Sequence, residues 1–338
     1  MHKGQVTIKD IARELGISPS TVSRALKDHP DISQKTKDAV QKLAQKLNYT
    51  PDPIALSLKS RQSKIIGMIV PDIVHYFFST VIHGAENVAY ESGYNVMVCE
   101  SNETYEREVK NVDTLLASRV DGILISVSKE TKKSGHFTKI QEAGVPIVFF
   151  DRISRDIDTD QVVVDDEAGA FLAVDHLLTT GCKRIALLGS EEHLIIGEKR
   201  KLGYLRAHRE RGLEPDPELM AICDTMEMAE KVVPGMLELP DTPDAFFAVN
   251  DLTAAVTMRI VKSTGLNVPG DVSIVGFTNG QISTLTDPPL SSVEQFGYDI
   301  GQQAMQMLIR RLESREDYPT QKQVIKTRLV VKGSSSRS

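Results

Sequence analysis

The chain has 338 residues, 41% of them hydrophobic and 25% charged, which is too long for one ordinary core and fits a soluble globular protein of two or three domains. No apolar run is long enough to span a bilayer and no apolar signal region precedes the first helix. The expected location is therefore the cytoplasm, with no membrane partner. The net charge of −6 argues against general nucleic-acid affinity, yet residues 1–62 hold 11 basic and 6 acidic side chains against 29 and 40 in the remainder. A small basic module on an acidic body keeps phosphate attraction local. Cys99, Cys182 and Cys223 are too scattered for a disulfide framework, and no Cys/His cluster has zinc-site spacing, so no metal and no cofactor is expected.

The run VTIKDIARELGISPSTVSRAL, Val6 to Leu26, reads as two short helices joined by a tight turn. Ile8, Ile11, Ala12 and Leu15 form one buried stripe, and Thr7 with Asp10 makes a capping box. Gly16 stands where the backbone needs a positive φ, while Ser18 caps the second helix and Pro19 fills its first turn. Val22, Ala25 and Leu26 face inward, leaving Pro19, Ser20, Ser23, Arg24 and Lys27 outside. Small hydroxyl side chains and an arginine at the start of a second helix are what a DNA major groove accepts. Ser33–Leu47 predicts a third helix, with Val40, Leu43, Ala44 and Leu47 inward. Asn48-Tyr49-Thr50-Pro51-Asp52-Pro53 then breaks the pattern, and the apolar stretch Ile54–Lys59 follows, too short for a stable isolated helix.

From Lys64 the pattern alternates. KIIGMIVPD, YNVMVCES, DGILISV, PIVFFDR, QVVVDD, RIALLGS, PDAFFAVND and DVSIVGF are strand-length apolar runs. Helical patterns lie between them at Phe78–Ser92, Tyr105–Ser118, Glu167–Thr180, Glu198–Arg211, Ala229–Leu239 and Asp251–Thr264. Such alternation implies an α/β core of doubly wound parallel sheets, in two similar series meeting near Asp158. Paired lobes of this kind bind ligands at the carboxyl ends of their strands. The residues found there are aromatic or capable of fixed hydrogen bonding: Phe77 and Phe78, Ser126, Asp151 and Arg152, Arg200, Asn250 and Thr278. That composition suits a sugar or polyol. His75 reads as a turn residue and Asp165-Asp166 as an N-cap pair. Neither GxGxxG nor GxxxxGK[ST] follows a first strand, which removes the phosphate cradle of a nucleotide-cofactor enzyme, so no enzyme is expected.

The TIKDIARELGIS and TVSRAL runs, followed by NYTP, resemble the headpiece of the LacI/GalR family of bacterial transcription regulators. The resemblance implies a helix-turn-helix headpiece at 1–50, a hinge helix at 51–63 and a two-lobed periplasmic-binding-protein-like core at 64–333. The first lobe would hold about 64–158 plus 292–322, and the second about 159–291 plus 323–333, with three chain crossings and a disordered tail at 334–338. It implies phosphate-positioning roles for Thr7, Thr21, Ser23 and Tyr49, and hinge contacts from Ala55 and from Leu58, which would wedge into the minor groove. Effector contacts are implied at Phe77, Phe78, Ser126, Asp151, Arg200, Asn250 and Thr278, where Thr278 replaces the family's usual Asp. Base readout falls to Pro19, Ser20 and Arg24, Ser18 opens the reading helix, and Lys27 stands where the family usually has Asn. The function so implied is a ligand-responsive repressor. It binds double-stranded operator DNA as a homodimer and answers to a small carbohydrate held between the lobes. The alternative is a two-lobed solute-binding protein without regulatory DNA binding.

Overall fold

The computed structural model describes residues 6–49, 62–314 and 319–337. The chain forms two compact units, the first ending at Lys64 and the second starting at Ile65. Of the hinge expected at 51–63, residues 51–61, Ala55 and Leu58 among them, lie outside the described residues.

The first unit contains α1 (Ile8–Leu15), α2 (Pro19–Leu26) and α3 (Gln34–Lys46). The Asp10 carboxylate accepts from the N–H and hydroxyl of Thr7 at 3.0 and 2.7 Å, which holds the start of α1 and draws the Asp10 pKa down. Gly16 ends α1 with φ of 62°, a conformation that costs glycine nothing. The Ser18 hydroxyl accepts from the Thr21 N–H at 3.1 Å and caps α2. Ile11, Ala12, Val22, Ala25, Val40, Leu43 and Ala44 are buried together, with Leu15, Leu26, Leu47 and the Tyr49 ring against them. A core this small is marginal by itself.

The second unit carries two six-stranded sheets. Before the first crossing come β1 (Ile65–Val70), α4 (Tyr76–Glu91), β2 (Asn95–Glu100), α5 (Tyr105–Ala117), β3 (Gly122–Ile125), α6 (Gly135–Glu142), β4 (Ile147–Phe150) and β5 (Asp160–Val164). The other lobe follows with α7 (Asp166–Thr179), β6 (Ile185–Gly189), α8 (Ile195–Glu210), β7 (Met220–Ile222), α9 (Met226–Leu237), β8 (Ala245–Ala248), α10 (Asp251–Ser263), β9 (Ser273–Thr278), α11 (Ile282–Leu285) and β10 (Ser291–Glu294). The chain then returns through α12 (Gly297–Glu313) and β11 (Lys322–Ile325) and crosses a last time into β12 (Arg328–Val330). The strand orders are β11-β5-β4-β3-β1-β2 and β12-β10-β9-β8-β6-β7. Among the described residues, only the β10–β12 pairing is antiparallel. Each lobe thus repeats one doubly wound order, whose switch point lies between its first and third strands.

The lobe boundaries differ from the expected ones. β5 pairs in parallel with β4, Val148 opposite Asp160, and so stays in the first sheet. β11 pairs with β5 in that sheet, while β10 pairs with β9 in the second. An apolar run does not reveal which edge its backbone will join, and that pairing sets the boundary. Asp160 ties the return: its enclosed carboxylate accepts from Arg311 Nε at 2.7 Å and from the Gln321 N–H at 2.7 Å. α12 lies so close on α4 that a Cβ at Gly84 would stand 2.1 Å from the Tyr298 carbonyl oxygen, and one at Gly301 2.0 Å from that of Val81.

The tail expected to be disordered is instead docked on the second lobe. Ser334 and Ser335 are fully buried, and the Ser334 hydroxyl donates to the Ile274 carbonyl at 2.6 Å and accepts from the Ser291 N–H at 2.8 Å. Arg337 donates to the carbonyls of Asp244 and Pro269. Serine-rich composition reads as disorder, but here the hydroxyls satisfy backbone groups at the start of β9 and β10.

Candidate DNA-reading helix and ligand cavity

On α2 the outward side chains are those expected. Ser18, Pro19, Ser20, Arg24 and Lys27 are exposed, while Thr21 and Ser23 are half-buried. Ser18 Oγ lies 2.7 Å from Ser20 Oγ and 2.8 Å from Thr21 Oγ1, so three hydroxyls cluster over the helix N-terminus, where unpaired N–H groups favour an anion. Thr7 is exposed too, but its hydroxyl proton is given to Asp10. Tyr49 puts its ring on the headpiece core.

In the second unit a cavity of about 260 Å³ opens between the lobes, at the carboxyl ends of both sheets. The first lobe lines it with Asp72, His75, Phe77 and Phe78 after β1, Glu103 after β2, Lys129 after β3, and Asp151 and Arg152 after β4. The second lobe adds Ser190 and Leu194 between β6 and α8, Ile196 and Arg200 in the first turns of α8, residues 224–227 from the end of β7 into α9, and Val249, Asn250 and Leu252 around the start of α10. Thr278 and Gln295 close the end. Both lobes contribute because both sheets end there.

Phe77 and Phe78 are buried and meet edge to face at 5.2 Å, with the Arg152 guanidinium 5.6 Å from the Phe78 ring centre. Asp151 sits in the left-handed region at φ of 58° and is almost fully buried. Burial pushes its carboxyl up to about 6, against the opposing pull of Arg152. Arg152 gives two hydrogen bonds to Glu103, at 2.7 and 2.9 Å. Burial would raise the Glu103 carboxyl, yet the guanidinium holds it below its ordinary value. Arg200 donates to Asp166 at 2.8 Å and to the Val249 carbonyl at 2.7 Å, and stacks 3.9 Å over Phe277. Asn250 caps α10 by accepting from the Thr253 N–H at 2.8 Å and donates to the Asp224 carbonyl. The Thr278 hydroxyl donates to Gln295 Oε1 at 2.9 Å.

Seven of the eight expected contact residues therefore line one cavity, and Ser126 does not. Its N–H donates to the Ile69 carbonyl at 3.0 Å, continuing the β1–β3 pairing, so it is still inside the sheet and fully buried. The chain reaches the opening only at Lys129. Asp166 is a second correction. Asp165 alone caps α7, accepting from the Ala168 N–H, whereas Asp166 turns inward to Arg200. His75, read as a turn residue, lines the cavity with a buried, unpartnered Nδ1, and burial lowers its pKa.

Sequence reasoning also passed over Glu103, Lys129 and Ser190. They follow their strands by three, four and one residues respectively, and attention to every residue of each loop would have found them. Lys129 matters most, since its Nζ meets Asp224 at 2.9 Å and its carbonyl accepts from His193 Nε2 at 2.6 Å, both on the opposite lobe. Behind it, fully buried Glu108 accepts from the Ser128 N–H at 2.7 Å and hydroxyl at 2.7 Å, and from Thr131 Oγ1 at 2.8 Å. It also bonds His136 Nε2 at 2.7 Å.

Two family models cover nearly all of the described chain. Residues 7–52 match the bacterial regulatory proteins of the lacI family. Residues 63–331 match the periplasmic binding proteins and sugar-binding domain of the LacI family. The chain belongs to the LacI family. Over 330 residues it is 32% identical to the HTH-type transcriptional repressor CytR of Escherichia coli strain K12, covering 97% of this chain and 96% of that protein. It is 33% identical over 307 residues to the catabolite control protein A of Priestia megaterium, covering 90% and 92%. In structure it is similar to a lac repressor dimer bound to operator and the anti-inducer ONPF, with a TM-score of 0.85, 25% identity, and coverage of 98% and 99%. As a LacI-family member with both parts present, it is a DNA-binding transcriptional regulator with an effector-binding core, and the CytR to which it is similar is a transcriptional repressor. The solute-binding alternative leaves the first match without a role. Among the described residues, no helix is long and apolar enough to cross a membrane.

Proposed function

We propose that this protein represses transcription as a homodimer on a pseudo-palindromic operator and that a small sugar-like effector bound between its core lobes controls it. The observation that carries the effector half is the cavity lined from both lobes by Phe77, Phe78, Asp151, Arg152, Arg200, Asn250 and Thr278. A molecule seated there touches both lobes and so biases their relative arrangement. The DNA half rests on α2, with Ser18 at its start. Arg24 reads a guanine, Pro19 and Ser20 contact base edges, and Thr7, Thr21, Ser23 and Tyr49 position the phosphates. Lys27 adds charge at the groove edge. Ala55 and Leu58 are assigned to the hinge on the sequence alone.

The similarity to an operator-bound dimer supports both the dimer and the symmetric site. The test is selection of bound duplexes from a random DNA library with the full-length protein, repeated with a panel of sugars. An enriched palindrome whose enrichment one sugar abolishes or sharpens is the expected result. Absence of enrichment from a folded dimer under every condition would overturn it.

A further inference from the structure

The turn after β9 is held in a conformation its residues do not favour. Thr278, which lines the cavity, has φ of 134°, and Asn279 after it has φ of 57°. A β-branched residue at positive φ is strained, and such strain persists only where the surroundings enforce it. The Thr278 hydroxyl is bonded to Gln295, while the Asn279 side chain accepts from Lys332 Nζ at 2.7 Å and donates to Glu294. The two backbone N–H groups that follow Thr278 lead instead to one buried carboxylate.

Asp251, the first residue of α10, accepts from the Gly280 N–H at 2.7 Å on one oxygen and from the Ser292 hydroxyl on the other. Ser292 Oγ accepts in turn from the Asn279 N–H at 2.9 Å. The carboxylate has room because position 276 is glycine, where a Cβ would stand 2.4 Å from Asp251 Oδ1. The far side of the turn meets the other lobe. A Cβ at Gly280 would lie 2.9 Å from Tyr76 Cδ1, so the ring that opens α4, next to Phe77 and Phe78, rests on the turn. One carboxylate therefore fixes a turn that reaches the cavity with one residue and the opposite lobe with another.

The hold depends on charge. Ionised, Asp251 accepts at both oxygens, as two donors require. Protonated, it keeps one full acceptor, and either the Gly280 N–H or the Ser292 hydroxyl meets an O–H group. Burial pushes the carboxyl up to about 6, against the hydrogen bonds from Ser292 and Gly280 and the nearby Lys332 ammonium, and Glu294 adds to the rise. β9 and α11, which also pack there, carry no charged residue.

We propose that Asp251 is a positioning residue for the cavity: its carboxylate pins the Thr278–Gly280 turn, ties the cavity wall to Tyr76 on the first lobe, and releases the turn when it takes up a proton. The bearing of this pin on regulation rests on the cavity being the effector site. The pin itself is tested without effector, so the two can fail separately.

The test measures amide hydrogen exchange of the full-length protein by mass spectrometry at pH 5 and pH 8, each rate divided by the intrinsic rate at that pH. Peptides covering 278–283 should be about tenfold less protected at pH 5. Asp251→Asn keeps the shape with one acceptor oxygen, and should show the low protection at both values. Tyr76→Trp gives the chain a tryptophan, of which it has none. Its emission should shift to the red at pH 5, and should be red-shifted at both values once Asp251→Asn is added. Should the Asn variant fail to fold, Ser292→Ala cuts the Asn279 link alone and should lower protection at pH 8 by about threefold. Equal protection of the wild-type turn at the two values overturns the proposal, as does protection unmoved by Ser292→Ala. A pH response that survives Asp251→Asn also overturns it, and passes the titration to another group such as His75.

Discussion

Arg24 is exposed on the outer face of α2, one residue before buried Ala25, so its guanidinium is free of the headpiece core. Arg24→Ala should cost about 1–3 kcal/mol per half-site and relax preference at one base pair, as read from the selected duplexes. Equal weakening on all sequences would make it a phosphate contact. Asp151 supports a prediction of a different kind. Burial lifts its folded-state pKa from 3.8 to about 6, so its ionised form burdens the ligand-free fold. The burden is absent well below pH 4, grows between about pH 4 and 6, and is full above, worth on the order of 3 kcal/mol. Asp151→Asn should therefore stabilise the ligand-free protein at pH 8 and leave it nearly unchanged at pH 4. Denaturant unfolding at the two values checks it, and a constant difference across pH would assign the effect to packing. Both residues could be picked out from the sequence. That Arg24 is unencumbered followed from helical spacing, whereas the burial of Asp151 did not follow from any local pattern.

At the scale of elements, the tail is the clearest departure. Residues 333–337 close over the starts of β9 and β10, and their loss would leave the Ser291 N–H and the Ile274 carbonyl without those hydroxyl partners. Each unmet buried group costs about 1–3 kcal/mol. Truncation after Lys332 should lower the melting temperature of the core by several degrees without changing which DNA sequences are enriched. An unchanged melting temperature would return the tail to the status its composition suggested. Helices and strands were legible because their apolar residues recur at 3.6 or run together. β7, β11 and β12 were not, since these short edge strands carry mixed, partly exposed side chains and exist only through their neighbours, and β10 was not because its buried run Ser-Ser-Val is mostly polar.

For the molecule as a whole, the decisive feature is that the two lobes of the core hold one another across the cavity. Lys129 bridges to Asp224, His193 donates to the Lys129 carbonyl, and Arg155 pairs with Glu198. Glu108 and its hydroxyl partners keep the Lys129 loop in place from behind. Lys129→Ala removes the side-chain bridge and leaves a largely buried Asp224 carboxylate facing the cavity alone. The ligand-free core should open, raising its radius of gyration in X-ray scattering. Added effector should then shift DNA affinity by an amount different from the wild-type response, itself about 1–3 kcal/mol for coupling of this kind. Unaltered scattering and coupling would show that the bridge does not hold the lobes.

By itself the sequence determined the helix-turn-helix, its exposed reading face, the doubly wound core and seven of the residues around the cavity. These depend on local periodicity, on capping chemistry and on the rule that ligands sit at strand ends. The tertiary structure alone decided which sheet each edge strand joined, that the serine-rich tail docks, that Ser126 is sealed within the sheet, and that Lys129 and His75 reach the cavity. Those outcomes depend on backbone pairing and on approach between residues far apart in the chain. Asp151 and Arg152 are neighbours in the chain, but their burial and the pairing of Arg152 with Glu103 come from that same distant approach.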